Sequence, residues 1–201
     1  RESSDTGISV FDTDHGGEED SEATQVSEAY EEELSLDEVG SGSGLLDLTR
    51  RYQEPWRHYH TLEHIAAMLH EGRRFPLDDE QTMAIWFHDV IYVYGAKDNE
   101  DLSAAAFREH ANGYMSADLV NRVEELIIAT KHTGKAGDEG IAYMVDIDLS
   151  GFGLPWNGYL ADSDALRQEA PPEVTDENYY SGKLRFLGEL QSWNSLFQTE
   201  H

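Results

Sequence analysis

The feature that most constrains the fold is a helical spacing of apolar residues, which persists from residue 45 to residue 193. In the segment His60–Gly72, for example, Leu62, Ile65, Ala66 and Leu69 follow the i, i+3, i+4, i+7 spacing that places side chains on one face of an α-helix. No segment shows the sustained alternation of apolar and polar residues that is typical of a half-buried strand. The sequence therefore predicts an all-α fold, a helical bundle around one core.

Eight segments carry this helical pattern and no internal repeat is present. The third is expected to have Asp78 or Asp79 as its N-cap, because a short acidic side chain accepts hydrogen bonds from the first free backbone amides of a helix. The predicted helices are Leu45–Gln53, His60–Gly72, Asp78–Val93, Asp98–Ala111, Ser116–Thr130, Gly140–Leu149, Trp156–Glu169 and Thr175–Trp193. Together they predict one domain over residues 45–201.

The segment 1–44 differs in composition from the rest of the chain. It holds 14 acidic residues and one basic residue, and it ends in the linker-like run Gly40–Gly44. It has too few large apolar residues to offset the entropy lost on ordering. We therefore expect an acidic, disordered tail, with at most a weak acidic helix over residues 26–39.

Composition also excludes several classes of function. The net charge is −27, and only four lysines are present, so we expect no binding to nucleic acid. The absence of cysteine excludes disulfides and cysteine-ligated zinc. No apolar run approaches the roughly 18 residues of a spanning helix, and the N-terminus lacks a signal pattern. We expect a cytoplasmic protein with no membrane partner.

The third predicted helix carries ionisable side chains where its apolar stripe predicts core residues. Ala84, Phe87 and Ile91 define the stripe, and His88 falls within it. Asp89 follows, about 100° further round the helix. A metal ion between these two directions is within reach of both side chains.

The sixth predicted helix shows the same feature. Ile141, Met144 and Val145 predict position 148 as the next inward site, and Asp148 occupies it. A buried carboxylate is costly unless it is paired, hydrogen-bonded or bound to a metal. Asp146 points about 200° away from Asp148. We therefore predict Asp148 as a ligand, and Asp146 as a candidate for a second metal or for an indirect contact.

His60 and His64 are four residues apart on the second predicted helix, so they share a face. The convergence of His60, the doublet His88–Asp89 and Asp148 from three helices predicts a shared metal site. Histidine and carboxylate ligands suit Mg, Mn, Fe, Co, Ni or Zn, and they select none of these by themselves.

A histidine that opens one helix, a His-Asp doublet on the next and a later inward aspartate resemble the signature of the HD superfamily. More narrowly, the chain resembles the predicted HD-superfamily metal-dependent phosphohydrolases over about residues 45–199. The matching segments are Arg57–Ile65, Ala84–Tyr92, Asp98–Glu100 with Ser103, Ala129–His132, Asp146–Leu149, Leu166–Glu169 and Tyr180–Lys183.

The resemblance implies helices packed around one or two divalent metal ions, with His60, His88, Asp89 and Asp148 as ligands. It implies hydrolysis of a phosphate ester or nucleotide by a metal-activated water, in which Asp89 is also a catalytic residue. The chain departs from the family after the doublet, where many HD hydrolases place a Glu-Asp pair and this sequence has the apolar run 90–93.

Glu100 follows a short loop and is our candidate general base; the alternative is that it only caps its helix. His132 is a candidate to protonate the leaving group, or to bind a second metal together with His64. The alternative for His132 is a helix C-cap.

The candidate substrate-binding cations are Arg57, Lys131 and Arg167, and the expected partner is a small phosphorylated molecule such as a nucleotide. The alternative for Lys131 is a helix C-cap. The alternative for Arg167 is a salt bridge to Glu169 or to a neighbouring helix.

Two other functions remain open from the sequence. A di-iron oxygenase on the same scaffold uses two extra histidines between the doublet and the last aspartate, and His110 and His132 are the candidates. The second alternative is a non-catalytic domain that binds a nucleotide and interacts through its acidic tail.

Overall fold

A computed structural model of the chain describes residues 44–193 and 195–199, and their side chains from residue 47 onward. Over these residues the structure is helical and contains no strand, which confirms the all-α prediction. The predicted acidic tail and its weak helix over residues 26–39 lie outside the described residues, apart from Gly44. No described helix is long and apolar enough to cross a membrane.

The helices follow the predicted order along the chain. We number them α1 Gly44–Arg51, α2 Leu62–Glu71, α3 Asp79–Phe87, α4 Asn99–Ala111, α5 Ala117–Ala129, α6 Glu139–Asp148, α7 Trp156–Glu169 and α8 Asp176–Gln191. A 3₁₀ helix, Leu149–Gly153, joins α6 to the segment before α7.

Side-chain caps fix where several helices begin. Asp78 caps α3 in a reciprocal capping box with Gln81, which confirms the first of the two predicted N-cap residues. Ser116, Asp138 and Thr175 accept backbone hydrogen bonds at the starts of α5, α6 and α8. These short polar residues therefore set helix boundaries that apolar periodicity alone places only approximately.

Helix α5 lies at the centre of the packing and contacts α3, α4 and α6. Its Val123, Leu126 and Ile127 are fully buried, as are Ile85 of α3 and Met144 of α6. Burying side chains of this size contributes about 1.5–3 kcal/mol each. This apolar core holds the ends of α3, α5 and α6 in fixed positions, and these ends carry the site described below.

The third helix is shorter than predicted: it ends at Phe87, with His88 as C-cap, and residues 89–93 are irregular. Their backbone groups are bound by side chains from elsewhere in the chain. Arg57 donates to the carbonyl oxygens of Asp89 and Val90 at 2.7 and 3.1 Å.

Two polar side chains of α4 bind further backbone groups of this irregular segment. Ser103 bonds to both backbone groups of Ile91, at 3.1 and 3.2 Å. Asn99 bonds to both backbone groups of Val93, at 2.9 Å each. The prediction that α3 continues to Val93 is therefore wrong, because tertiary hydrogen bonds replace the helical ones and turn Asp89 out of the helix.

The second helix begins at Leu62, after the N-cap Thr61, so His60 precedes it rather than opening it. His60 and His64 therefore do not share a helix face, although both side chains reach the same site.

Candidate metal centre

Six ionisable side chains converge where α3, α5 and α6 end and α2 begins. They are His60, His64, His88, Asp89, His132 and Asp148. All four predicted first ligands belong to this group, together with the two histidines predicted for a second metal. We call these six residues the His–Asp cluster.

Asp148 is the central carboxylate of the His–Asp cluster. Its Oδ1 lies 3.1 Å from His64 Nε2 and 3.6 Å from His88 Nε2, and its Oδ2 lies 2.9 Å from His132 Nε2. Asp89 Oδ2 lies 2.8 Å from His88 Nε2 and 3.9 Å from His60 Nε2. The four imidazoles thus direct their Nε2 atoms at two carboxylates.

The ring of His88 is held in one orientation by the backbone. Its Nδ1 lies 2.9 Å from the carbonyl oxygen of Ile85 and must donate to it, because a carbonyl only accepts. In the neutral ring, Nε2 therefore carries a lone pair. That atom is buried and has no hydrogen-bond partner among the described residues, and it faces the carboxylate of Asp89.

A buried carboxylate, Glu169, holds His60 in the same way. Glu169 Oε2 lies 2.6 Å from His60 Nδ1, and Oε1 accepts the backbone amides of His58, Tyr59 and His60 at 2.7–2.9 Å. The side chain of Glu169 is fully buried. His60 Nδ1 therefore donates its proton to Glu169, and Nε2 is free to bind a cation.

The protonation equilibria reflect this crowding of opposite charges. Burial lowers the pKa of His88, but Asp89 and Asp148 outweigh it and raise that pKa to about 9. Burial raises the pKa of Asp89 and of Asp148, but the facing imidazoles hold both pKa values well below the ordinary range. Burial likewise opposes ionisation of Glu169, whose pKa falls to about 2 because His60 and the backbone amides donate to it.

These residues fit a divalent cation. In the described part of the chain, no lysine or arginine forms an ion pair with Asp89 or Asp148, so their charge is balanced only by imidazoles. His64, His88 and Asp89 each offer one ligand atom, and these three atoms lie within 4.8 Å of one another. A cation among these atoms takes the place of the proton that His88 Nε2 holds toward Asp89 in the metal-free protein.

The predicted substrate-binding role of Arg57 needs correction. Its guanidinium is buried and donates to the backbone carbonyl oxygens of His60, Asp89 and Val90 and to the carboxylate of Glu54. Four of its five donors are therefore used within the fold. Arg57 positions the backbone on either side of the His–Asp cluster instead of binding a substrate.

The other two predicted substrate-binding cations also have partners outside the site. Lys131 forms an ion pair with Asp101. Arg167 pairs with Asp176 at 2.8 Å and donates to the carbonyl oxygen of Val174 at 3.0 Å, which is the predicted alternative of a salt bridge to a neighbouring helix. Neither side chain lines the cavity beside the His–Asp cluster.

Asp146 is buried on a different side of α6 from Asp148, as its helical angle predicts. It accepts hydrogen bonds from the backbone amides of Gln198 and Thr199 at 2.7 Å each, and from the hydroxyl of Thr199 at 2.6 Å. The prediction of Asp146 as a candidate second ligand is corrected by these contacts, since its carboxylate anchors the segment that follows α8.

A cavity of about 390 Å³ opens beside the His–Asp cluster. Glu100, in the first turn of α4, lines it together with Asp89, His132 and Asp148. Burial, and secondarily the charge of Asp89, raise the pKa of Glu100. A carboxylate with a raised pKa beside the ligands suits the predicted role of general base.

His132 is the one described non-glycine residue with a positive φ, 54°. This left-handed conformation costs an L-residue roughly 1–2 kcal/mol. His132 lies just beyond α5, whose C-cap is Thr130, and the Nε2 atom of His132 contacts Asp148. The strain is therefore located at the point where the chain turns this imidazole toward the cluster.

Two residues of the site were missed by sequence reasoning about individual positions. Glu169 and Lys183 both lie in segments that resemble the HD superfamily, but nothing in their spacing assigned them a role. Glu169 orients His60 from a position 109 residues away. Lys183, on α8, lines the cavity. His110, in contrast, packs against Phe87 on another side of α4, outside the cavity.

Comparison with protein-family models, with curated proteins and with solved structures finds no match to this chain. The resemblance to the HD superfamily therefore stays a prediction that rests on the sequence segments quoted above. The geometry itself brings His64, His88 and Asp89 close enough together to hold a metal ion, at one end of a helical core and beside an open cavity.

Proposed function

We propose that this chain is a metal-dependent phosphohydrolase of the HD type. The observation that carries the proposal is the His–Asp cluster, in which the buried Nε2 of His88 lies 2.8 Å from Asp89 and 3.6 Å from Asp148, two ionised carboxylates at the base of a cavity. A metal site beside a cavity that also holds a carboxylate of raised pKa is the arrangement that metal-assisted hydrolysis requires.

His60, His88, Asp89 and Asp148 would hold the first ion. His64, which faces the same Asp148 oxygen as His88, is within reach of that ion as well, and His132, at the other oxygen of Asp148, is the candidate for a second ion. The share of imidazole favours Mn, Fe, Co, Ni or Zn over Mg, which prefers oxygen ligands. When bound, the cation supplies Lewis-acid activation of water and neutralises charge on the phosphoryl oxygens.

The remaining steps belong to side chains of this chain. Glu100 takes a proton from the attacking water while the oxygen of that water bonds to phosphorus. Glu100 is suited to this step because its raised pKa makes it a stronger base than an exposed glutamate. When His132 holds no second ion, it gives a proton to the leaving oxygen as the ester P–O bond breaks; with a second ion at His132, water gives this proton. The products are inorganic phosphate and the free alcohol, and the proton taken by Glu100 returns through water to the group that lost one, so atoms and charge balance.

A two-metal oxygenase is the second candidate function. The observation that favours it is the pair of extra imidazoles, His64 and His132, which both contact Asp148. His110, the other predicted histidine for this chemistry, lies outside the cavity. The oxygenase requires two irons and consumption of oxygen, whereas the phosphohydrolase releases phosphate with no oxygen consumed.

The first test is elemental analysis of the purified protein, followed by assays of phosphate release over a panel of nucleotides and sugar phosphates. His88→Ala and Asp89→Ala should each lose both the bound metal and the activity. His70→Ala is the matched control, because His70 is exposed on α2 and outside the cluster. Full metal content in either cluster variant contradicts the ligand assignment.

The second test separates metal binding from proton transfer. Glu100→Gln should retain the metal and lose turnover by roughly a hundredfold or more, since a positioned general base contributes about 10²–10⁴ to the rate. Unchanged turnover removes Glu100 from the mechanism while leaving the metal site in place.

A further inference from the structure

The charges around the cavity are unusual for a site that binds phosphate. Four carboxylates line it: Asp89, Glu100, Asp148 and Asp162. Among the described lining residues, Lys183 is the only lysine or arginine. The cavity therefore offers one ammonium besides any metal held by the His–Asp cluster, and burial lowers the pKa of this ammonium from its ordinary value.

Lys183 differs from the predicted substrate-binding cations in its partners. Its ammonium donates to the neutral hydroxyl of Ser163 and lies 5.6 Å from the ring centroid of Tyr159. Lys131 and Arg167, in contrast, are held in ion pairs. Lys183 can thus transfer a hydrogen bond from Ser163 to an anion without breaking an ion pair.

The balance of charge limits how many phosphates the cavity accepts. Asp89 and Asp148 already offset the two charges of a divalent ion, so the ammonium of Lys183 is the side-chain charge left to face a phosphate, and the dianion of a single monoester already exceeds it by one. Each further phosphate of a chain adds negative charge, and the carboxylates of Glu100 and Asp162 face the same cavity. Burial raises the pKa of both carboxyls, which is the sign of an environment that already disfavours added negative charge.

The rest of the wall is aromatic. Phe152 and Tyr159 lie with ring centroids 5.8 Å apart, and Tyr94 and Tyr179 are stacked at 6.5 Å. All four rings line the cavity, whose volume of about 390 Å³ exceeds what a phosphate alone requires. Aromatic walls of this kind bind planar or apolar organic groups.

We propose that the site is selective for phosphate monoesters of organic groups with a planar face, in preference to di- and triphosphates, and that Lys183 binds the phosphate. This inference rests on the proposed function, because the phosphate is placed between Lys183 and the His–Asp cluster. It assigns phosphate binding to Lys183 in place of Arg57, Lys131 and Arg167.

Binding is tested with phenylphosphonate, a monoester analogue that cannot be hydrolysed, titrated calorimetrically into the full chain with Mn²⁺. Lys183→Met should weaken binding by about tenfold to a hundredfold, as expected for loss of a charge-assisted hydrogen bond, and Lys183→Arg should restore part of it. Lys135→Met, at an exposed lysine outside this cavity, is the control. Methylphosphonate, which lacks the ring, should bind more weakly than phenylphosphonate.

Selectivity is tested with AMP, ADP and ATP, which differ only in the number of phosphates. We expect kcat/KM to fall by at least about a hundredfold from AMP to ATP, and Lys183→Met to raise KM for AMP more than it lowers kcat. ATP hydrolysis as efficient as that of AMP, or wild-type phenylphosphonate affinity in Lys183→Met, overturns the inference. Lys183→Gln repeats the measurement if the methionine variant does not fold.

Different results would contradict the proposed phosphohydrolase activity and the proposed phosphate-binding role of Lys183. If phosphate is released in a metal-dependent way but binding does not depend on Lys183, the phosphohydrolase stands and this inference falls. If no probe is hydrolysed but phenylphosphonate still requires Lys183, the proposed reaction falls and the phosphate-binding role of Lys183 stands.

Discussion

Replacing Glu169 by glutamine tests whether the orientation of one imidazole controls the metal site. Glu169 is fully buried and uses both carboxylate oxygens: Oε1 receives three backbone amides, and Oε2 receives His60 Nδ1 at 2.6 Å. Glutamine has nearly the same shape. Its amide oxygen can still accept the three backbone amides, but its amino group then faces His60 Nδ1.

Two donors in contact cannot both be satisfied, so His60 must give up the proton on Nδ1 and carry it on Nε2. That tautomer has no lone pair directed at the cluster. Loss of a correctly oriented imidazole of this kind typically costs 10–100-fold in metal affinity. The lost charge-assisted hydrogen bond lowers the free energy of unfolding of the metal-free protein by about 1.5–3 kcal/mol.

The assays are calorimetric titration with Zn²⁺ or Mn²⁺ and chemical denaturation without metal, with nitrogen NMR of His60 to identify the protonated ring atom. Glu173→Gln is the matched control, because Glu173 is exposed a few residues beyond the end of α7. If Glu169→Gln binds metal as tightly as the wild type and His60 keeps its Nδ1 proton, the reasoning from Glu169 to the metal site is refuted.

Arg57→Lys should lower the free energy of unfolding by about 3 kcal/mol in chemical denaturation, because one ammonium cannot donate to all the carbonyl oxygens that the buried guanidinium binds. If the free energy of unfolding is unchanged and only KM rises, Arg57 binds the substrate instead. His132→Gly should be more stable than His132→Ala by about 1 kcal/mol, since glycine adopts a φ of 54° without strain. Both His132 variants should lose metal affinity equally, and equal unfolding midpoints contradict the argument from strain. Hydrogen bonds from Arg122 hold the pKa of Asp138 below its ordinary 3.8, so the stability that this pair contributes is present above pH 3.8 and is lost as pH falls through the lowered value. Asp138→Asn keeps the N-cap acceptor but lacks the charge, so its unfolding free energy should fall less steeply with acid than that of the wild type; identical slopes count against the ion pair.

The helices could be predicted because their signal is local. An apolar stripe at i, i+3, i+4 and a cap such as Asp78 are both contained within a few residues, and the structure has them in the predicted order. The end of α3 could not be predicted in the same way. The groups that stop it, Arg57 and the α4 residues Asn99 and Ser103, act across 6 to 33 residues of sequence.

The same division applies to the site. His88, Asp89 and Asp148 were found because each is an ionisable residue in or beside an apolar stripe, and such a residue needs a partner. Glu169 has no such signature, since its four donors come from a segment more than a hundred residues earlier in the chain. A carboxylate that orients a ligand looks, in sequence, like any surface glutamate at the end of a helix.

The assignment of the cations shows why charge alone was a poor guide. Beyond residue 44 the chain has 27 acidic residues against 13 basic ones, so a basic side chain generally finds a carboxylate nearby. Lys131 and Arg167 did so, and each is thereby less available to a substrate. In a chain of this composition the informative cation is one whose hydrogen-bond partner is neutral and which lies in a cavity, and Lys183 meets both conditions. Neither condition can be evaluated before the contacts between α7 and α8 are known, so the sequence alone could not distinguish Lys183 from the other cations.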